Sequence, residues 1–266
     1  MATQTLTGTL RQVRKARRLS QLELSLRLGI SQRHVSFVEG GRAKPSRELL
    51  MAWLQELQAP MAVCNEAMLQ AGYAPVYSAT PLEDPALKQV NDALAYLLQT
   101  HDPMPALVLD AHWNLLSANR GGHWLAATLA PWAVDLSNPS PLNLLDLLIH
   151  PKGLIASITN LAEVGPPFLS RLRYEATLYP ALEPKVDAFS TLLADRLGKQ
   201  NLQTLYPQPA APVLTTRYGT EYGELAFFGM FTTFGTPQDI TLASLRVEHM
   251  FAADEVTRAV LRAQVQ

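Results

Sequence analysis

The residues able to do covalent or metal chemistry are few and badly placed for it. The six histidines stand at positions 34, 101, 112, 123, 150 and 249, with no H-x-x-x-H or other ligand spacing. The single cysteine, Cys64, can neither close an internal disulfide nor build a Cys-rich zinc site, so no metal is expected. There is no G-x-G-x-x-G, P-loop or nucleophile-elbow pattern. Asp254 and Glu255 are adjacent, so on a regular element they do not face each other as acid and base; they read as a helix start. No catalytic residue is assigned and no enzyme activity is expected. Charge says more. Residues 1–72 hold ten basic and five acidic side chains, a balance of +5, which leaves −6 for the rest of a chain of net charge −1. A basic segment beside an acidic one suits a polyanion partner for the first alone.

The basic residues are carried by short amphipathic helices. Leu10, Val13 and Ala16 lie at helical spacing with arginine and lysine between them. Ser20-Gln21-Leu22-Glu23 is a capping box, and Leu24 and Leu28 continue an apolar stripe that Gly29 ends. Ser31 caps a third helix with Val35 and Val38 inward, closed by Gly40-Gly41. Pro45-Ser46 opens a fourth with Leu49, Leu50, Trp53, Leu54 and Leu57 buried, and Pro60 precedes a fifth that Gly72 stops. A chain of 266 residues, 48% hydrophobic, has room for two domains. No run approaches 18 consecutive apolar residues, so no membrane span is expected. The basic N-terminal stretch lacks an apolar signal-peptide core, which points to the cytoplasm.

The run SQLELSLRLGISQRHVSFVEGGRAKPS, residues 20–46, resembles the helix-turn-helix of phage repressors and the XRE family. The resemblance rests on Ser20-Gln21, Leu24, Gly29-Ile30-Ser31, Val35-Ser36, Glu39, Gly41 and Pro45 at fixed spacing; Ser25 departs from the usual alanine but is small enough for the two helices to approach. It implies that residues 31–39 are a recognition helix for the major groove of an operator duplex. Gln32 and Arg33 are the expected base readers, glutamine toward adenine and arginine toward guanine. Phe37 either touches a thymine methyl or packs on its own domain, and His34 suits phosphate or solvent better than a base. Gln21, Arg42, Lys44 and Arg47 are expected on phosphates. Arg14 and Glu39 occupy positions that form a buried ion pair in similar repressors.

The chain then divides into residues 1–72, a proline-interrupted linker at 73–85, and a second domain at 86–266. Residues 86–100 return to helical periodicity. Apolar runs at 104–109 and 113–118 flank the turn at Asp110-Ala111-His112 and read as a hairpin, after which Asn119 caps a helix. Prolines at 139–141 break the chain. Helices are expected at 142–149, 154–164, 168–177 and 185–197, and strands at 213–218, 224–234 and 242–251. In the last, Leu245, Val247, His249 and Phe251 alternate with Arg246, Glu248 and Met250, as in a half-buried strand. Two strands, several helices and three strands give an antiparallel α+β sheet with helices grouped on one face, the architecture of PAS-like sensor domains. The fold class is therefore multidomain: an all-α, five-helix, repressor-like unit followed by an α+β PAS-like domain.

Residues 84–255 also resemble the MmyB-like ligand-binding domain found behind XRE-type helix-turn-helix domains. The carrying residues are 105–110 (PALVLD), Trp113-Asn114-Leu115-Leu116, Asn119, Asn143-Leu144-Leu145, Gly223-Glu224-Leu225, 232–239 (TTFGTPQD) and Ala253-Asp254. The resemblance implies a binder of fatty acids or similar lipids, as an effector and not as a resident cofactor. A dozen buried methylenes would contribute on the order of 10 kcal/mol before ordering costs. Phe227, Phe228, Met230, Phe231 and Phe234 are candidate walls. For a carboxylate head the candidates are Arg173 first, Arg171 second and Asn119 as an extra donor. Plain core and solvated arginines remain open for the same residues. Two main readings of the whole follow: a ligand-responsive regulator acting as a homodimer on double-stranded DNA, or a DNA-binding protein whose second domain only dimerises; a third, a lipid-carrying or enzymatic domain behind a vestigial helix-turn-helix, is opposed by the intact cap, the glycine turn and Gln32-Arg33. A cavity discriminates the first two.

Overall fold

The computed structural model describes residues 5–133, 142–198 and 212–265. The expected break at 139–141 lies outside them. The first of two compact units takes in Met1–Thr80 together with Tyr174–Pro180 and Thr236–Ala243. Its helices are α1 (Leu6–Ala16), α2 (Gln21–Leu28), α3 (Gln32–Glu39), α4 (Arg47–Glu56) and α5 (Met61–Gln70). Local chemistry sets their ends. Ser20, Ser31 and Ser46 each accept from a backbone amide at the starts of α2, α3 and α4, and Ser20 and Glu23 complete the capping box. Gly29 closes α2 with φ 65°, where a side chain is strained. Leu10, Leu24, Val35, Val38, Trp53, Leu54 and Met68 form one core. Cys64 is in that core; its thiol donates to the Ala59 carbonyl at 3.6 Å, and burial pushes its pKa up to about 11, so it is a packed, unreactive group.

The proline-rich segment at 73–85 holds its place through side chains. Asn65 Oδ1 accepts from the Val76 and Tyr77 amides at 2.9 and 3.0 Å, and its Nδ2 donates to the Tyr77 carbonyl at 2.7 Å. Within the same unit, Asp239 Oδ2 accepts from the Ser78 hydroxyl at 2.8 Å and from the amide and hydroxyl of Thr80 at 3.0 and 2.8 Å. Two polar side chains thereby satisfy backbone that cannot form a ladder.

The second unit takes in Pro81–Arg173, Ala181–Gly235 and Ser244–Gln266. After a 3-10 turn at Pro85–Leu87 come α6 (Lys88–His101), β1 (Ala106–Leu109), β2 (Leu115–Ala118) and α7 (Arg120–Leu129). Then follow α8 (Leu144–Ile149), α9 (Leu154–Ser157), α10 (Leu161–Leu178) and α11 (Glu183–Leu197). The chain ends through β3 (Thr215–Thr220), β4 (Gly223–Thr233), α12 (Ile240–Ser244), β5 (Arg246–Ala252) and α13 (Glu255–Gln264). The five strands form one antiparallel sheet in the order β2-β1-β5-β4-β3. Asp254 caps α13, as its position beside Glu255 suggests.

Three expectations are corrected. Helix is continuous through Pro166 and Pro167, where the sequence suggests a break, because both fall in the early part of α10 and the burial of Val164, Leu169 and Leu172 offsets the lost amide bonds. The actual break lies earlier: Ile158 bridges to Tyr218, and the Thr159 amide donates to the Arg217 carbonyl at 2.9 Å. The expected strand at 242–251 begins instead at Arg246, since Asp239 caps a short helix by accepting from the Thr241 amide at 2.8 Å.

Candidate functional site

The basic face of the first unit sorts into structural and exposed cations. Arg14 donates from Nε and Nη2 to the two Glu39 oxygens at 2.6 and 2.8 Å, and from Nη1 to the Leu19 carbonyl at 2.7 Å. This bidentate pair is buried, with side chains 10% and 1% exposed. The guanidinium holds the Glu39 carboxyl below its ordinary range even though burial pushes the other way. Arg11 caps the Glu39 carbonyl at 3.0 Å, and Arg17 donates to the Leu57 and Gln58 carbonyls at 2.7 and 2.8 Å. Arg27 pairs with Glu56 at 3.1 Å.

Of the other exposed cations, Lys15 and Arg18 lie at the end of α1, and the rest gather on α3, the loop after it and the start of α4. Gln32 and Arg33 are exposed at the start of α3, with His34 half-buried. Phe37 is half-buried and carries two cations, with the Arg33 and Arg42 guanidiniums 5.1 and 5.7 Å from its ring centre. Lys44 lies 4.9 Å from the Tyr73 ring, and Arg47 is exposed in the first turn of α4. Gln21 donates to Glu39 Oε2 at 2.8 Å, so its amide nitrogen braces the ion pair at the start of α2. Short polar groups and exposed cations at a helix N-terminus fit a nucleic-acid backbone and base edges.

In the second unit the sheet and helices α7 to α11 enclose two apolar lobes of about 170 and 110 Å³. The larger is walled by Trp113, Leu145, Leu148, Ile155's neighbour Leu154, Ile158, Val164, Phe168 and Phe189. The smaller is walled by Leu107, Leu115, Leu125, Leu129, Leu147 and Met250. Leu144, Leu154, Tyr218 and Glu248 line both. Each volume is below the roughly 300–1,000 Å³ of drug-sized ligand sites, which suits a narrow occupant.

One wall residue is strained. Trp113 is buried yet adopts φ 67°, a left-handed conformation that costs a bulky residue on the order of 1–3 kcal/mol. A polar clamp enforces it. Asp110 accepts from the His112 and Asn114 amides at 2.8 and 2.9 Å and from Asn114 Nδ2 at 2.7 Å. Asn143 Nδ2 donates to the His112 carbonyl and Asn114 Oδ1 at 2.8 and 2.9 Å, while the Leu144 amide donates to the Trp113 carbonyl at 2.9 Å. Asp110, Asn114 and Asn143 thus present the indole edge-on to Phe168, 5.4 Å between ring centres. A second, exposed cluster ties the start of α10 to β3 and β4: Glu224 accepts from the Thr159 hydroxyl at 2.8 Å and pairs with Arg217 at 3.1 Å.

These clamp residues are the ones that carry the family resemblance. A family model described as the MmyB-like transcription regulator ligand binding domain matches residues 90–263, and a helix-turn-helix model matches residues 10–63. The chain belongs to the MmyB-like transcription regulators. A search of curated proteins found no match. The chain is accordingly a DNA-binding transcription regulator with a ligand-binding domain, and its families are of regulator type, not enzyme type. Among the described residues no helix is long and apolar enough to cross a membrane.

None of the eight residues expected to hold the ligand, Phe228 and Phe234 included, lines either lobe of the MmyB-like domain. Asn119 is consumed as a cap and brace: Oδ1 accepts from the Ala106 and Gly122 amides, both at 2.8 Å, and Nδ2 donates to the Met104 carbonyl at 2.7 Å. Arg173 points to the Ser190 hydroxyl at 3.0 Å. Arg171 lies 4.1 Å from the Phe231 ring centre and 5.4 Å from that of Trp113. Phe227 is fully buried in a core cluster with Leu125, Leu225 and Leu261 that backs the smaller lobe, and does not itself line it. Met230 and Phe231 are 57% and 36% exposed. The missed residues are Tyr218 and Glu248. For Glu248 the one signal is the alternation along β5 that sets it apart from Val247 and His249, since the side that looks polar turns to the chamber; Tyr218 on β3 carries no such signal.

Proposed function

We propose that the chain is a homodimeric, cytoplasmic regulator that reads a specific double-stranded operator through Gln32 and Arg33 and answers to a single-chain lipid of fatty-acid type. The supporting observation is the two-lobed apolar chamber in the same chain as a fully capped helix-turn-helix. Arg42, Lys44 and Arg47 add sequence-independent, salt-sensitive affinity. The order of the sheet, with helices α7 to α11 inserted between β2 and β3, supports the PAS-like reading of the domain. No resident cofactor is invoked; the lipid acts as an effector. A ligand that binds one arrangement of the paired DNA-binding units better than another shifts their spacing and therefore operator affinity. Native mass spectrometry of the purified chain, followed by organic extraction, tests this. A co-purifying lipid, or uptake of one added chain per protomer, supports it. A clean mass that stays unchanged after incubation with medium- and long-chain lipids favours a second domain that only dimerises.

A further inference from the structure

Two polar groups stand where the lobes meet. Tyr218 on β3 and Glu248 on β5 line both, surrounded by Leu144, Leu154 and Met250. Neither the phenol nor the carboxyl has a hydrogen-bond partner among the described residues. Burial raises the Tyr218 pKa and the nearby Glu248 carboxyl raises it further; burial also raises Glu248, against the pull of Arg171 and Arg246. Those two guanidiniums do not line the chamber. Arg246 sits 3.9 Å from the centre of the Trp113 ring, and Arg171 sits 4.1 Å from that of Phe231. The surface offered to an occupant is therefore mostly apolar, its polar side chains being one acid and one phenol shared by both lobes and Thr216 in the larger one. Gly229 on the neighbouring strand leaves the acid room, since a Cβ there would come within 3.3 Å of Glu248 Oε1.

We propose, resting on the lipid-ligand reading above, that the chamber selects its occupant by a hydrogen-bond-donating head held between Glu248 and Tyr218, namely a hydroxyl or a carboxylic acid that still carries its proton. The physical reason is complementarity. An unpaired acid facing an apolar space gains most from a donor, because a buried polar group left without a partner keeps its full desolvation cost. A carboxylate anion brings a second negative charge beside Glu248, so a neutral donor is favoured over it even with Arg171 and Arg246 acting on Glu248 from outside the chamber. An ester, with acceptors alone, leaves Glu248 unmet whenever that group is ionised.

The test is isothermal titration of the full-length chain at pH 7.5 with decan-1-ol, decanoate and methyl decanoate, which share one chain and differ in the head. The expected order places decan-1-ol at least tenfold tighter than either of the others. In Glu248→Gln the ratio of alcohol to carboxylate affinity falls below threefold, because decanoate gains while the alcohol is retained. Tyr218→Phe weakens the alcohol roughly 3- to 10-fold. The ratio is read within one protein, so partial unfolding of a variant does not imitate it. Decanoate binding as tightly as decan-1-ol in the unmodified chain, or a ratio unchanged in Glu248→Gln, overturns the head-group assignment while leaving the lipid reading intact. Failure of all three to bind overturns the lipid reading and the assignment together.

Discussion

Replacing Glu39 by leucine strands a buried charge and gives the sharpest stability prediction for the DNA-binding unit. Arg14 spends three donors inside the fold, two on Glu39 and one on the Leu19 carbonyl, and its side chain is 10% exposed. Glu39→Leu leaves the guanidinium with that one carbonyl and no counter-charge. Breaking a buried pair in this way costs about 3–5 kcal/mol. For a domain of this size each kcal/mol moves the midpoint by about 4–8 °C, so the first unit should melt on the order of 20 °C lower. The double variant Arg14→Met with Glu39→Leu removes the stranded charge and should regain most of the loss. Differential scanning calorimetry of the full chain, with circular dichroism to follow the helices, reads both variants. The sign with pH also follows. Glu39 titrates lower in the folded state than in the unfolded one, where its ordinary value is 4.5. Its contribution is thus complete above about 4.5 and disappears as pH falls through the lower folded value. A single variant that loses less than about 1 kcal/mol, or a double variant no better than the single, would show that the pair is not the structural brace described here.

Four further outcomes are expected. Gln32→Ala and Arg33→Ala should each weaken specific operator binding by about 1–3 kcal/mol in a mobility-shift titration and relax preference at one base position. Lys44→Ala and Arg47→Ala should instead weaken all duplexes alike and flatten the slope of affinity against salt, measured by anisotropy at several ionic strengths. Trp113→Gly should be less destabilising than Trp113→Ala by about 1 kcal/mol in urea denaturation, because glycine relieves the φ of 67° at the cost of the same wall. Leu154→Trp, which fills the junction of both lobes, should abolish lipid uptake in native mass spectrometry while the helix-turn-helix still binds DNA.

The sequence was most legible where structure is decided by neighbours a few residues apart. Ser20 with Glu23, Gly29, Ser31, Asn119 and Asp254 act through local hydrogen bonds or backbone freedom, and each ends or starts an element as expected. The Arg14–Glu39 pair was legible by resemblance. Less could be read where the deciding partner is remote. Pro166 and Pro167 look like a break because the packing of Val164, Leu169 and Leu172 that carries the helix through them cannot be seen locally. The short helix at Ile240–Ser244 depends on Asp239, which also receives Ser78 and Thr80 from 159–161 residues away. The chamber suffered most. Phenylalanines on β4 drew attention by type, yet its walls are mostly leucines on α7 to α10, and its polar pole is a glutamate that strand alternation alone assigns to an outer face.

The most direct measurement is operator affinity of the full-length chain with and without a bound lipid, using a duplex selected from a random pool by the protein itself, at fixed salt. Occupying the chamber should change the dissociation constant at least tenfold in one direction, and Leu154→Trp should bind DNA while losing that response. An affinity that is the same with the chamber empty and filled would contradict a ligand-responsive regulator and leave the second domain without a sensing role.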